Sequence, residues 1–120
     1  MVMDVRFRVF DMLLTGDVEG EERLTESLKK ERKYRNRTWE VLKVAHHGSK
    51  NSSTEELLQQ VQPAYALISA GQENRYGHPH RETIERLTDA GSRSYSTQEN
   101  GAIIVEVADG EILRMKKWQR

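Results

Sequence analysis

Short apolar runs alternate with amphipathic segments along most of this chain, and that alternation restricts the fold more than any other feature. Ala64 to Ser69 reads Ala-Tyr-Ala-Leu-Ile-Ser, nearly unbroken in apolar character, as in a strand buried on both faces. Val5, Phe7 and Val9 alternate with Arg6 and Arg8, the period of a strand, and predict one strand or a tight pair ending at Thr15. Trp39 to Ala45 and Arg93 to Thr97 read as two more strands. Helices are predicted between them. Residues 18–33 carry Leu24 and Leu28 at i, i+4, with acidic residues early and basic ones late, matching the helix dipole. Ser53-Thr54-Glu55-Glu56 has the form of a capping box ahead of Leu57, Leu58 and Val61, and Pro63 closes that helix. A third helix has Pro79 in its first turn, Ile84 and Leu87 on its apolar side and Gly91 as its C′ residue. Asn100-Gly101 and Asp109-Gly110 predict hairpin turns. The order β-α-β-α-β-α-β-β-β predicts an α/β fold: a mixed β-sheet, three helices and a C-terminal hairpin.

Composition narrows what such a fold could do. A chain of 120 residues has room for one domain, and 36% hydrophobic against 32% charged residues leaves a thin core. Lys plus Arg equals Asp plus Glu at 19 each, which argues against a protein that coats nucleic acid by bulk charge. The absence of cysteine excludes disulfides, thiolate zinc sites and cysteine nucleophiles. No apolar run approaches the ~18 residues of a membrane span, and no signal-peptide pattern opens the chain, so the sequence reads as a soluble polypeptide.

The residues able to carry chemistry cluster where strands are predicted to end. All four histidines lie in two loops, His46-His47-Gly48-Ser49 and Tyr76-Gly77-His78-Pro79-His80, and Asp17 ends Thr15-Gly16-Asp17. In an open α/β sheet the carboxyl ends of strands converge on one crevice. One carboxylate and several imidazoles gathered there suit a divalent metal, zinc or manganese above all. Each also has a plainer reading: Asp17 as a helix cap, His46-His47 as part of a solvated polar loop, His78 before Pro79 as a cap, His80 as a first-turn surface residue. The run from Lys29 to Arg37 reads as a solvated helix end or as a patch that contacts phosphates.

Four blocks, Leu13-Leu14-Thr15-Gly16-Asp17, Leu42 to Ser49, Asn74 to His80 and Glu99-Asn100-Gly101-Ala102, together resemble the metallo-β-lactamase-fold domain of the ComEC competence proteins, which internalise DNA in bacteria. The resemblance covers about residues 5–110. It implies that Asp17 is the carboxylate bridging two metal ions and that one or both of His46 and His47 are ligands. It implies that His78 is a phosphate contact, a proton donor or a further ligand. Ser49, Lys50, Asn51 and Ser52 beside the histidine pair, and Arg75 in the second loop, could donate hydrogen bonds to a substrate phosphate.

One departure from the family pattern is large. The main metal motif, His-x-(His/Asp)-x-Asp-His, precedes the Thr-Gly-Asp block in that superfamily, whereas this chain has no histidine before position 46. The resemblance therefore implies the C-terminal half of an αββα sandwich, holding part of a dinuclear site and close to inactive alone. The activity implied for the intact protein is metal-dependent hydrolysis of DNA phosphodiesters, in a soluble domain of a bacterial membrane-associated protein. Two alternatives stand: another hydrolase of the superfamily acting on a small phosphodiester or ester, and a non-catalytic nucleic-acid-binding or assembly module. The expected partners are DNA, the missing N-terminal half-domain and, for a half-domain with an uncovered face, a second copy of the chain. Phe7, Val9, Leu42, Val44, Ile103 and Val105 are the candidates for that face.

Overall fold

Strands and helices fall largely where the hydrophobic period changes. The structure, a computed structural model, describes residues 1–18, 21–109 and 111–118, with side chains described at Met115 and Lys116 alone within the last stretch. The tight pair of strands is what forms: β1 (Met3–Phe7) turns at Arg8-Val9 into β2 (Phe10–Leu14), with Arg8 at φ 56°. Then follow α1 (Glu21–Lys30), a 3-10 turn (Arg32–Tyr34), β3 (Val41–Lys43), a second 3-10 turn (Ala45–Gly48), α2 (Glu55–Val61), β4 (Tyr65–Ile68), α3 (Arg81–Asp89) and β5 (Arg93–Ser96). A single helical turn, α4 (Thr97–Asn100), leads to β6 (Ala102–Ala108) and β7 (Glu111–Trp118).

The result is the expected α/β fold with a mixed sheet. Its five strands lie in the order β1-β2-β3-β4-β5, with β1 antiparallel to β2 and the other pairs parallel. Each parallel crossover steps the same way along the sheet, so a constant handedness puts α1, α2 and α3 on one face. The core lies between them: Leu13, Leu42, Val44, Ala66 and Ile68 from the strands meet Leu28, Leu57, Leu58, Val61 and Leu87 from the helices. On the other face Met12, Leu14, Lys43, Tyr65 and Leu67 are half-buried around a fully buried Val41.

Several local expectations need correction. Leu42 and Val44 are buried under the helices, while Phe7 and Val9 are exposed and Ile103 and Val105 half-buried. Ala66 and Ile68 are buried but Tyr65 and Leu67 only half so, which means that β4 alternates. The N-cap of α2 is Thr54, whose side chain accepts from Leu57 N–H, because the Ser53 N–H is already taken by Glu21 Oε1 at 2.9 Å. The N-cap of α3 is His80, so Pro79 precedes the helix. Asn100-Gly101 makes no hairpin: it closes α4, Ser96 capping the turn by accepting from Gln98 N–H, and β6 joins a separate two-stranded sheet with β7. The second turn does join β6 to β7, with Asp109 at φ 54°; Gly110 lies outside the described residues.

The basic run is partly spent inside the fold. Arg37 is paired with Asp11 at 2.7 Å and Asp4 at 3.2 Å, its guanidinium 4.9 Å from the Trp39 ring, and so braces the β1–β2 hairpin. No described helix is long and apolar enough to cross a membrane.

Candidate functional site

The parallel strands β2, β3 and β4 end side by side, and each hands over to a loop bearing candidate residues. Strand order does not reverse anywhere in the sheet, so these loops form an open rim. The Thr15 hydroxyl donates to the Lys43 carbonyl and His46 N–H to the Gly16 carbonyl at 3.1 Å, tying the first loop to the second.

Asp17 and His46 are brought together. Their Oδ1 and Nδ1 atoms lie 4.0 Å apart, and the Asp17 side chain is 75% exposed. A carbonyl only accepts, so the 2.7 Å contact between His46 Nε2 and the Val18 oxygen makes Nε2 the protonated nitrogen. In the neutral ring the Nδ1 lone pair is then the free one. An imidazole whose far N–H is held by a backbone carbonyl is the arrangement common among metal-ligating histidines. His47 goes elsewhere: its Nδ1 donates to the Ser69 carbonyl at 2.7 Å, which turns the ring toward the β4 loop. His46 and His47 occupy consecutive left-handed positions at φ 49° and 54°, which sends the two rings different ways.

His47, Tyr76, His78 and His80 form a ring cluster. His78 stacks 6.3 Å from His47 and 5.7 Å from Tyr76 and meets His80 edge-on at 4.6 Å. Burial, followed by the neighbouring imidazoles of His80, His47 and His46, holds His78 below the ordinary histidine value, which favours the uncharged ring. His80 is more than a surface residue. Its Nδ1 accepts from Lys50 N–H at 2.8 Å, and its Nε2 donates to the Tyr76 carbonyl at 2.8 Å, which bolts the two histidine loops together. Gly48 completes that junction at φ +82°, because a Cβ there would lie 2.6 Å from Pro79 Cβ.

Among the candidate phosphate contacts, the side chains of Lys50 and Asn51 are exposed and make no hydrogen bond to a described residue. Arg75 donates to the Tyr76 hydroxyl at 3.3 Å and remains exposed. The Ser49 hydroxyl accepts from Asn51 N–H at 3.3 Å. Ser52 is withdrawn: it is buried and its hydroxyl is shared between the Ala45 and Ser49 carbonyls at 3.0 and 2.8 Å.

Three residues at this rim lie outside the sequence-based expectations. Lys43 lies half-buried at the end of β3, its ammonium bonded to the Val44 carbonyl at 3.1 Å; burial lowers its pKa and Asp17 works against that shift. Glu21 is buried behind the His46 loop, where burial raises its pKa despite the backbone donors Ser53 and Thr54. Asn74 grips His78 from the turn below it. Only Asn74 carried a signal, an Asn opening a Gly-containing turn.

For a divalent cation the donors present fit as part of a ligand set. Asp17 and His46 offer an oxygen and a lone-pair nitrogen across a gap that one cation spans when ligand distances are about 2.0–2.2 Å. Among the described residues no group of three His, Asp or Glu side chains gathers for a metal ion.

Comparison with known proteins places relatives beside this geometry. The chain is 44% identical over 93 residues to "ComE operon protein 3" of Bacillus subtilis (strain 168), covering 76% of this chain and 11% of that protein. It is 41% identical over 98 residues to "Recombination protein 2" of Haemophilus influenzae, covering 80% and 11%. It is 34% identical over 118 residues to "Competence protein ComA" of Neisseria gonorrhoeae, covering 91% and 16%. Over most of its length the chain is a homologue of these three proteins. No family model matches it. It spans between 11% and 16% of the length of these curated relatives.

Proposed function

We propose that this chain is one part of a metal-dependent phosphodiesterase that acts on DNA during its uptake, within a longer, membrane-associated protein. The observation that carries the reading is the Asp17–His46 pair, with the far His46 nitrogen bound to a backbone carbonyl. The relative named "Competence protein ComA" supports the DNA-uptake context.

Asp17 and His46 would hold zinc or manganese together with ligands from outside the described residues, and a bound ion would supply a hydroxide nucleophile at neutral pH. Val18 keeps the His46 lone pair turned toward Asp17. His47 holds the β3 loop to the end of β4 and offers its free Nε2 to the rim. Burial and neighbouring imidazoles lower the His78 pKa, and an approaching phosphate would oppose that shift and let the ring hold a proton next to the leaving oxygen. Ser49, Lys50, Asn51 and Arg75 surround the two loops with hydrogen-bond donors and positive charge. An open rim suits a polymer backbone passing across it better than a small ester, which favours DNA over the alternative of a small substrate.

The test is hydrolysis of single- and double-stranded oligonucleotides with manganese or zinc, by the 120 residues alone and by the longer polypeptide to which the proposal assigns them. The chain alone should be nearly inactive. The longer polypeptide should cleave, and Asp17→Asn or His46→Ala should reduce the rate roughly 100-fold or more, since loss of even an outer partner of a metal ligand costs 10- to 100-fold. Undiminished hydrolysis in both variants overturns the reading.

A further inference from the structure

The loop from Asn74 to His78 is closed twice. Gly77 N–H donates to the Asn74 carbonyl at 3.2 Å, which is enough to make the turn. The Asn74 side chain then adds a second closure aimed at one residue. Its Oδ1 accepts from His78 N–H at 2.7 Å, and its Nδ2 donates to the His78 carbonyl at 2.7 Å. The same Nδ2 also donates to the Gly71 carbonyl at 2.9 Å, so the clamp is anchored to the chain leaving β4. Both backbone polar groups of His78 are therefore fixed by one amide.

The His78 ring has no comparable anchor. Neither ring nitrogen bonds to a described residue, and its neighbours are the stacked rings of Tyr76 and His47 and the perpendicular ring of His80. Stacking sets the tilt of a ring but leaves it free to slide, whereas a hydrogen bond at each nitrogen would fix it and consume the donor and acceptor that chemistry needs. Holding the backbone places the ring and keeps both nitrogens free.

We propose that Asn74 is a positioning residue: its amide fixes the backbone of His78 so that the imidazole meets the substrate phosphate with both nitrogens unspent. The inference rests on the phosphodiesterase reading for what His78 does, and on the hydrogen bonds alone for where it sits.

The experiment has two arms. In the 120-residue chain, long-range proton–nitrogen spectra report each imidazole ring separately. Asn74→Ala should move the His78 ring signals toward those of a solvated imidazole and leave those of His46 in place, with Val44 and Ile68 methyl signals confirming the fold. Asn74→Asp keeps the acceptor for His78 N–H and loses both donated bonds; it should give an intermediate displacement, and it carries the test if the alanine variant does not fold. In the longer polypeptide, Asn74→Ala should lower kcat for DNA roughly 10- to 100-fold with KM little changed, and Asn74→Asp should recover part of the loss. Unmoved His78 signals in Asn74→Ala overturn the inference by themselves. Displaced His78 signals with undiminished hydrolysis in Asn74→Ala overturn the catalytic half of this inference, whereas an absence of hydrolysis by the unsubstituted polypeptide overturns the phosphodiesterase reading on which it rests.

Discussion

The Asp17 carboxylate faces His46 Nδ1 at 4.0 Å while the other nitrogen of that ring is held by the Val18 carbonyl. A histidine arranged in this way is oriented for one partner, whereas His80 has both ring nitrogens occupied, by Lys50 N–H and the Tyr76 carbonyl. Zinc titrated into the chain should therefore perturb the Asp17 and His46 signals in nuclear magnetic resonance spectra well before those of His80. Two protein ligands give weak binding, so saturation should need a large excess of metal. Asp17→Ala should abolish the His46 response. A response that survives the substitution, or that appears first at His80, contradicts the pairing.

Gly48 joins the two histidine loops and has no room for a side chain. Its φ of +82° and the 2.6 Å approach of a Cβ to Pro79 Cβ work in the same direction. Left-handed backbone costs a non-glycine residue about 1–2 kcal/mol, and overpacking typically adds about 1–3 kcal/mol. Gly48→Ala should lower unfolding stability by about 2 kcal/mol or more in urea denaturation, and should displace the His80 and His78 signals. An unchanged midpoint would show that the Gly48–Pro79 contact does not exist in solution.

Periodicity revealed the parallel part of the sheet because each of those strands is buried on the helix side and each helix shows its apolar spacing. It also placed Asp17 and the two histidine loops at the strand ends, since the loops follow runs such as Leu42-Lys43-Val44 and Ala66-Leu67-Ile68. It could not separate His46 from His47, whose opposite orientations come from left-handed backbone angles that no residue type announces. It misplaced the Asn100-Gly101 turn because that dipeptide serves equally well to end a helical turn, and Ser96 and Thr97 had already started one. Glu21 acts through the distant Ser53 and Lys43 is influenced by the distant Asp17, and local spacing does not reach those, whereas Asn74 works within its own turn.

Glu21 ties stability to pH in an unusual direction for a carboxylate. It lies buried against the Ser53 amide, and burial raises its pKa above the ordinary value even though Ser53, Thr54, Arg86 and His46 all favour the charged form. The folded state thus binds a proton more tightly than the unfolded state does. This contribution is fully present below the unfolded pKa and is lost as pH rises through the folded one. Between the ordinary carboxylate range and the raised value, wild-type stability should fall with increasing pH relative to Glu21→Gln, which keeps an oxygen acceptor for Ser53. Urea denaturation of both proteins from pH 4 to 7 checks it; parallel profiles would mean that Glu21 is solvated.

The last prediction concerns the open edge of the sheet. Among the described residues β1 pairs with β2 alone, and Met3, Val5 and Phe7 are 48%, 38% and 49% exposed. An unpaired edge with an apolar row invites a further strand. A second copy fits in one antiparallel register, centred on Val5: Met3 then opposes the partner's Phe7, and Asp4 opposes the partner's Arg6. Centring on Asp4 sets Asp4 against itself, and centring on Arg6 does the same for that arginine. Registers centred between residues put charged positions opposite apolar ones. Opposed pairs are worth about 0.2–1 kcal/mol each, which makes the association weak, with a Kd on the order of 100 µM. Sedimentation equilibrium across that range should show reversible dimers. Val5→Lys, which places two like charges face to face at the centre, should leave a monomer with its unfolding transition intact. A wild-type chain that stays monomeric throughout, or dimers undiminished by Val5→Lys, would exclude β1 as the contact.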